Sequence, residues 1–144
     1  MVKEAALADL EKTAALAILL WPENTARALI GEFSEILSAE KGCFFLKYVQ
    51  DEPIGFAQCQ LRRDYVEGTE SSPVGYLEGI FVKEEYRHNG YAKELFDACE
   101  KWAKKHGCTE FASDCEIDNH GSFAFHMALG FTEANRIICF TKQL

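Results

Sequence analysis

Apolar positions follow two rhythms along this chain, a spacing of three to four residues and an alternation by two, and the switches between them predict its elements. Val2 to Glu4 reads as a short first strand. Leu7 to Leu20 reads as a helix rich in alanine and leucine that stops near Trp21-Pro22, because proline disfavours helix in the residue before it. A second helix runs from Asn24 or Thr25 to Leu37, with Ala28, Leu29, Phe33, Ile36 and Leu37 on one face. Cys43 to Val49 is β-rich, Asp51-Glu52-Pro53 marks a turn, and Ile54 to Leu61 returns, which predicts an antiparallel hairpin. The polar, turn-rich segment Asp64 to Val74 leads into a fourth strand, Gly75 to Val82. The longest amphipathic pattern, Gly90 to about His106, places Leu95, Phe96, Cys99, Trp102 and Ala103 on one face, and Gly107 stops it. Glu110 to Asp114 or Cys115 is a fifth strand and Asp118 to Leu129 a further helix. Phe131 to Glu133 and Arg136 to Thr141 form a closing hairpin around Ala134-Asn135.

A helix pair, three antiparallel strands and then β-α-β-α-β-β make an α/β (α+β) fold. The sheet is mixed and mostly antiparallel, of about six to seven strands, with helices on both faces. A dinucleotide-binding domain would alternate strand and helix from its first residues and carry its glycine loop early. This chain does neither.

Its 144 residues, 48% hydrophobic, suit a single domain spanning 1–144 with one core, and no repeat, linker or low-complexity segment divides it. Met1 to Leu10 lacks a basic region and an apolar run, and no stretch of about 18 apolar residues occurs, so the expectation is a soluble, cytoplasmic protein without membrane contact. The six cysteines include no Cys-x-x-Cys pair and mostly sit inside apolar patterns, which favours buried reduced thiols over a disulfide framework or a metal site. A net charge of -8 argues against a nucleic-acid surface. The same acidity serves solubility or steers a polycationic small molecule, and Glu67, Glu70, Glu78, Asp114, Glu116 and Asp118 bunch near the chemistry described next.

The stretch Glu78-Gly79-Ile80-Phe81-Val82 followed by Arg87-His88-Asn89-Gly90-Tyr91-Ala92 reads as a strand and then the glycine-bearing entry of the long helix. The first N–H groups of a helix have no partner inside it, and its dipole concentrates positive charge there, so a phosphate is a natural guest. Gly90 lets the guest approach the backbone, and Arg87 adds a fixed charge with a fork of donors. A glycine near a helix start is common, and the motif gains its weight from context.

Arg87-x-x-Gly90-x-Ala92 resembles the acetyl-CoA pyrophosphate signature of the GNAT superfamily of N-acetyltransferases. Asn119, Ser122, Phe125, Gly130 and Phe131 resemble that superfamily's next helix and strand. Within it, Leu19-Leu20-Trp21-Pro22-Glu23, the run from Tyr65 through Ile80, and Ser113-Asp114 with Asp118-Asn119-His120 look like the aminoglycoside 6'-N-acetyltransferases. The resemblance covers nearly the whole chain. It implies a GNAT fold whose fourth and fifth strands splay apart, with the pantetheine arm of acetyl-CoA lying in the gap along Ile80, Phe81 and Val82, strand addition put to cofactor binding. The phosphates would lie on Arg87, His88, Asn89, Gly90, Tyr91 and Ala92, and Asn119 and Phe125 would contact the arm. By the same resemblance, Trp21, Glu23 and Tyr65 line an acceptor pocket for an aminoglycoside, and the enzyme is a homodimer.

An acceptor amine is protonated at neutral pH and must lose a proton before it attacks, so a carboxylate is needed near the fourth strand. Glu78 is the first candidate; alternation by two would put it on the face of Ile80 and Val82. Asp114 is the second, as base or as a grip on a substrate ammonium. His126 stands four residues before Gly130, where many superfamily members have a tyrosine that protonates the departing thiolate. A histidine can donate near neutral pH, or it can simply pack between Phe125 and Leu129. Two other readings stay open: transfer to another amine, such as a polyamine or a protein amino group, and a non-catalytic acetyl-CoA-binding module.

Overall fold

A computed structural model describes residues 1–144. The strands β2 (Gly42–Val49) and β3 (Glu52–Arg62) pair antiparallel as the predicted hairpin. β1 (Val2–Glu4) adds to the outer edge of β2, and β4 (Val74–Val82) pairs antiparallel with β3. β5 (Phe111–Ser113) lies parallel to β4, so the strands stand in chain order across one five-stranded sheet. A parallel pair needs a crossover, which α1 (Leu10–Leu20) and α2 (Ala26–Ser38) leave to α3 (Tyr91–Lys105). α4 (His120–Ala128) follows β5.

Strand alternation divides the core between the two faces. Cys43, Phe45, Ala57, Cys59 and Leu77 pack with Leu95, Phe96, Cys99 and Trp102 of α3. On the other face Phe44, Leu46 and Phe56 pack with Leu16 and Ala17 of α1 and Leu29, Phe33 and Ile36 of α2. Each fully buried side chain of this size contributes about 1.5–3 kcal/mol. Helix ends fall where local chemistry sets them: Trp21 closes α1 before Pro22, and the Thr25 hydroxyl accepts from the Ala28 N–H at 3.1 Å to start α2. All six cysteines carry free thiols, and burial raises those of Cys43 and Cys108, which keeps them protonated and inert. No helix is long and apolar enough to cross a membrane.

The sheet has fewer strands than the six to seven expected, because the closing hairpin of Phe131–Glu133 with Arg136–Thr141 does not form. β-propensity makes a strand only where a partner ladder exists, and the tail meets none in this chain. It passes the loop at Glu67 and Gly68, where Asn135 Nδ2 donates to Glu67 Oε1 at 3.1 Å, and leaves Ile137, Ile138 and Phe140 exposed. β5 is also shorter than Glu110 to Asp114, and this early stop shapes the site.

Candidate active site

At the junction of β4 and α3 the backbone makes a cradle. Gly90 caps the helix in the left-handed region, φ 77°, and a Cβ built there meets nothing within 4 Å. No side chain caps this end, so its first-turn N–H groups are left without a side-chain partner. His88, also left-handed at φ 64°, and the Asn89 amide, which donates to the carbonyls of Tyr86 and Arg87, shape the loop before it. Arg87 Nε donates to the Val82 carbonyl at 2.8 Å, tying the guanidinium to the end of β4 above the Phe81 ring. Lys47, buried on β2, reaches Glu94 of the first turn of α3 at 2.5 Å and lies 4.5 Å from the Tyr91 ring, which fixes the helix against the sheet. An uncapped helix start, an arginine at its flank and room for a guest over Gly90 fit a diphosphate.

Below the cradle runs a slot. β4 pairs with β5 only from Gly75 to Leu77, so its edge from Glu78 to Val82 has no strand beside it. At the point of divergence Ser113 Oγ lies 3.2 Å from the Leu77 carbonyl. Asn119 caps α4, its Oδ1 accepting from the Ser122 N–H at 3.1 Å, and Phe125 sits edge-on to His126. His126 Nδ1 lies 2.7 Å from the Ser122 carbonyl, an acceptor, so that nitrogen carries the proton; Nε2 lies 2.8 Å from Ser113 Oγ. Both nitrogens are thus engaged within the chain.

The acceptor side lies across the sheet from α3. Gln58 pairs with Gly79 and Cys59 with Leu77, so Glu78 is the extra residue of a β-bulge. The bulge resets the alternation. Glu78 does not share the face of Ile80 and Val82, as period two predicts, but opens into a cavity of about 240 Å³ between β3, β4, α2 and the turn after α1, lined by Trp21, Asn24, Leu29, Glu32, Phe33, Gln58, Gln60 and Glu78. Gly79 is required beside it, since a Cβ there would lie 2.6 Å from the Trp21 ring. The indole also packs edge-on to Phe56, ring centres 5.8 Å apart, so it serves the core and the cavity together.

Both candidate carboxylates are engaged. Arg62 grips Glu78 in a fork, Nε to Oε1 at 3.0 Å and Nη2 to Oε1 and Oε2 at 2.8 and 2.9 Å. Its guanidinium carbon lies over the Tyr76 ring, 3.4 Å from the centroid, and the Tyr76 hydroxyl donates to Asp114 Oδ2. Burial raises Glu78 above the usual carboxylate range, with the Arg62 fork pulling the other way. Burial and then the Asp114 bond raise the Tyr76 phenol, which keeps it a donor. A larger cavity, about 690 Å³, lies at the other end of α3 against Leu61, Trp102 and Lys105 and holds none of these residues.

The fold therefore brings Trp21 and Glu78 into one cavity and links Asp114 to it through Tyr76 and Arg62. Two expected residues stand apart: Tyr65 is 77% exposed, its hydroxyl 3.4 Å from Glu67, and Glu23 is exposed outside the cavity lining. Sequence reasoning missed Arg62, Tyr76, Gln58 and Gln60. Phe56-x-Gln58-x-Gln60-x-Arg62 carried the signal, polar residues on the inward face of a strand that otherwise reads as core.

The profile of the acetyltransferase (GNAT) family matches residues 10–131. The aminoglycoside N(6')-acetyltransferase type 1 of Acinetobacter haemolyticus is 38% identical over 143 residues, 99% of this chain and 98% of the relative. That of Acinetobacter baumannii is 42% identical over 131 residues, 90% of this chain and 89% of the relative. The solved structure of AAC(6')-Iy with the bisubstrate analogue CoA-S-monomethyl-acetylneamine superposes with a TM-score of 0.95 at 38% identity, covering 100% of this chain and 98% of that one. With its uncapped helix start, its splayed strand pair and these relatives, this chain belongs to the GNAT acetyltransferase family.

Proposed function

We infer that this protein transfers the acetyl group of acetyl-CoA to the 6'-amine of aminoglycosides and so confers resistance to them. The observation that carries the reading is the acidic, indole-walled cavity on Glu78, opposite the free edge of β4, in a chain whose relatives bear the name of that activity. Acetyl-CoA supplies an activated acyl group and a thiolate able to leave. In this reading the cradle from Arg87 to Ala92 holds its phosphates, Ile80 to Val82 offer backbone partners to its arm, and Asn119 and Phe125 flank the slot. Glu78 takes the proton from the acceptor ammonium, and the amine attacks directly. Asp114, with Tyr76, holds a second ammonium of the substrate, and Trp21 packs on a sugar ring. His126 acts through Ser113, holding α4 to β5 at the mouth of the slot.

Release of CoA thiol from acetyl-CoA with kanamycin, set against spermidine and a peptide amine, tests the reading. Turnover on the aminoglycoside alone is the expected result. Equal turnover on spermidine, or none on kanamycin, would refute it.

We also propose a homodimer working in the cytoplasm, where acetyl-CoA is supplied. Exposed Ile137, Ile138 and Phe140 on a tail without a ladder, together with the short open edge of β5, favour a second copy as the cover. Light scattering should give twice the chain mass at micromolar concentration, and Phe140→Asp should shift it toward one.

A further inference from the structure

We propose that Arg62 is an internal stand-in for a substrate cation, a specificity-determining residue that holds Glu78 until an acceptor with more than one ammonium group displaces it. The proposal rests on the aminoglycoside reading and names what makes the same site select polycations.

The geometry is that of a lock rather than a spectator. Both oxygens of Glu78 are taken by the guanidinium fork at 2.8–3.0 Å, and the Tyr76 ring supports the fork from below at 3.4 Å. Forked arginine–carboxylate pairs are the strong ones, because two parallel bonds fix the geometry as well as the charge. Glu78 is mostly shielded from solvent while Arg62 is 42% exposed in its side chain, so the cation has somewhere to go and the carboxylate does not. While the fork holds it, Glu78 is a weaker proton acceptor, because the guanidinium charge favours the ionised form and its bonds occupy both oxygens.

Displacement is an exchange of one cation for another. A monoamine replaces a guanidinium that holds both oxygens of Glu78 with a single ammonium and gains little. A polyamine sugar adds further contacts at the same time, and acidic groups for them stand around the pair: Glu32 of α2 in the cavity wall and Asp114 beyond Tyr76. Specificity is a difference of affinities, and a built-in competitor widens it by taxing the weaker ligand more. Arg62, Asp114, Tyr76, Glu32 and the Cys59 thiol of the neighbouring strand are the charged and titratable groups about Glu78, so removing Arg62 leaves Glu78 among acids, a phenol and a thiol.

The test compares wild type with Arg62→Ala and Arg62→Lys on two acceptors, kanamycin and a simple aminosugar carrying one amine. In Arg62→Ala the preference for kanamycin should fall about tenfold, through a gain of kcat/KM on the monoamine. The acid limb of the pH profile should move to higher pH, because the positive charge that favours ionised Glu78 is gone. Arg62→Lys, a point charge without the fork, should fall between the two, and acetyl-CoA affinity should not change. Equal losses on both acceptors with an unmoved acid limb would overturn the proposal and leave Arg62 as scaffolding.

A readout free of turnover separates this from the aminoglycoside reading itself. The Arg62 Nε–H resonance, followed by NMR, should shift and lose protection when kanamycin is added, and should not respond to the monoamine at the same concentration. That response in a protein that acetylates neither acceptor would sustain the lock and sink the reading. A silent resonance under saturating kanamycin would sink the lock.

Discussion

The cradle and the acceptor cavity face each other across β4, yet they are built by different means. The cradle is local and made of backbone: Gly90 and its neighbours from Arg87 to Ala92 are contiguous, and the working groups are N–H donors that any sequence supplies once φ and the helix start are right. The acceptor side is made of side chains gathered from several places: Trp21 after α1, Glu32 and Phe33 on α2, Gln58 and Gln60 on β3 and Glu78 on β4 line the cavity, and Arg62, Tyr76 and Asp114 join it through Glu78. A cosubstrate can be held through its phosphates by a shape of backbone, whereas a cationic acceptor has to be read by its charges. The two halves should then fail separately.

The sharpest way to break that separation is Glu78→Gln. Turnover should fall about 100-fold, the scale of a lost general base, while acetyl-CoA affinity stays within about twofold by calorimetry. The wild-type profile should lose activity as pH falls through the Glu78 pKa, which burial lifts above the ordinary carboxylate range; that limb should vanish in the variant. An intact acid limb would remove Glu78 as base.

Gly90→Val is the converse. A β-branched residue at φ 77° costs about 1–3 kcal/mol of stability through strain alone. It also fills the space over the helix start, so acetyl-CoA Kd should rise about 30-fold. Nothing in the chain lies within 4 Å of the new Cβ, so normal CoA affinity in a folded variant would dissolve the cradle rather than point to repacking.

Smaller effects sharpen the comparison. Tyr76→Phe keeps the ring under Arg62 and deletes the bond to Asp114; acceptor kcat/KM should fall about fifteenfold, the low end for one charge-assisted hydrogen bond, with no change in acetyl-CoA KM. His126→Gln should cost least, about threefold, because both ring nitrogens serve contacts within the chain. A loss near 100-fold with disappearance of the basic limb would instead make His126 the acid that releases the thiolate.

What the sequence disclosed follows the same division. The helix from Gly90, the strand before it and the crossover between parallel strands were legible because period, glycine and arginine sit within one short stretch. The orientation of Glu78 was not. Alternation by two holds only in a regular ladder, and the bulge that breaks it depends on how β3 pairs with β4, a fact absent from either strand alone. Arg62 was invisible for a related reason: it stands 16 residues from Glu78 and reads as a polar residue just past the strand predicted to end at Leu61, until register brings the two together. The tail erred in the other direction. Arg136 to Thr141 has the composition of a strand, but composition supplies no partner, and within one chain the segment stays unpaired.

The position of the new amide bond tests the central claim most directly. Kanamycin treated with the enzyme and acetyl-CoA should give one product, and NMR should place its acetyl group on the 6' nitrogen, with the adjoining methylene protons shifted downfield. Acetylation at another nitrogen, or at several, would contradict a site in which Glu78 in the cavity and Asp114 beyond Tyr76 hold the substrate in a single pose.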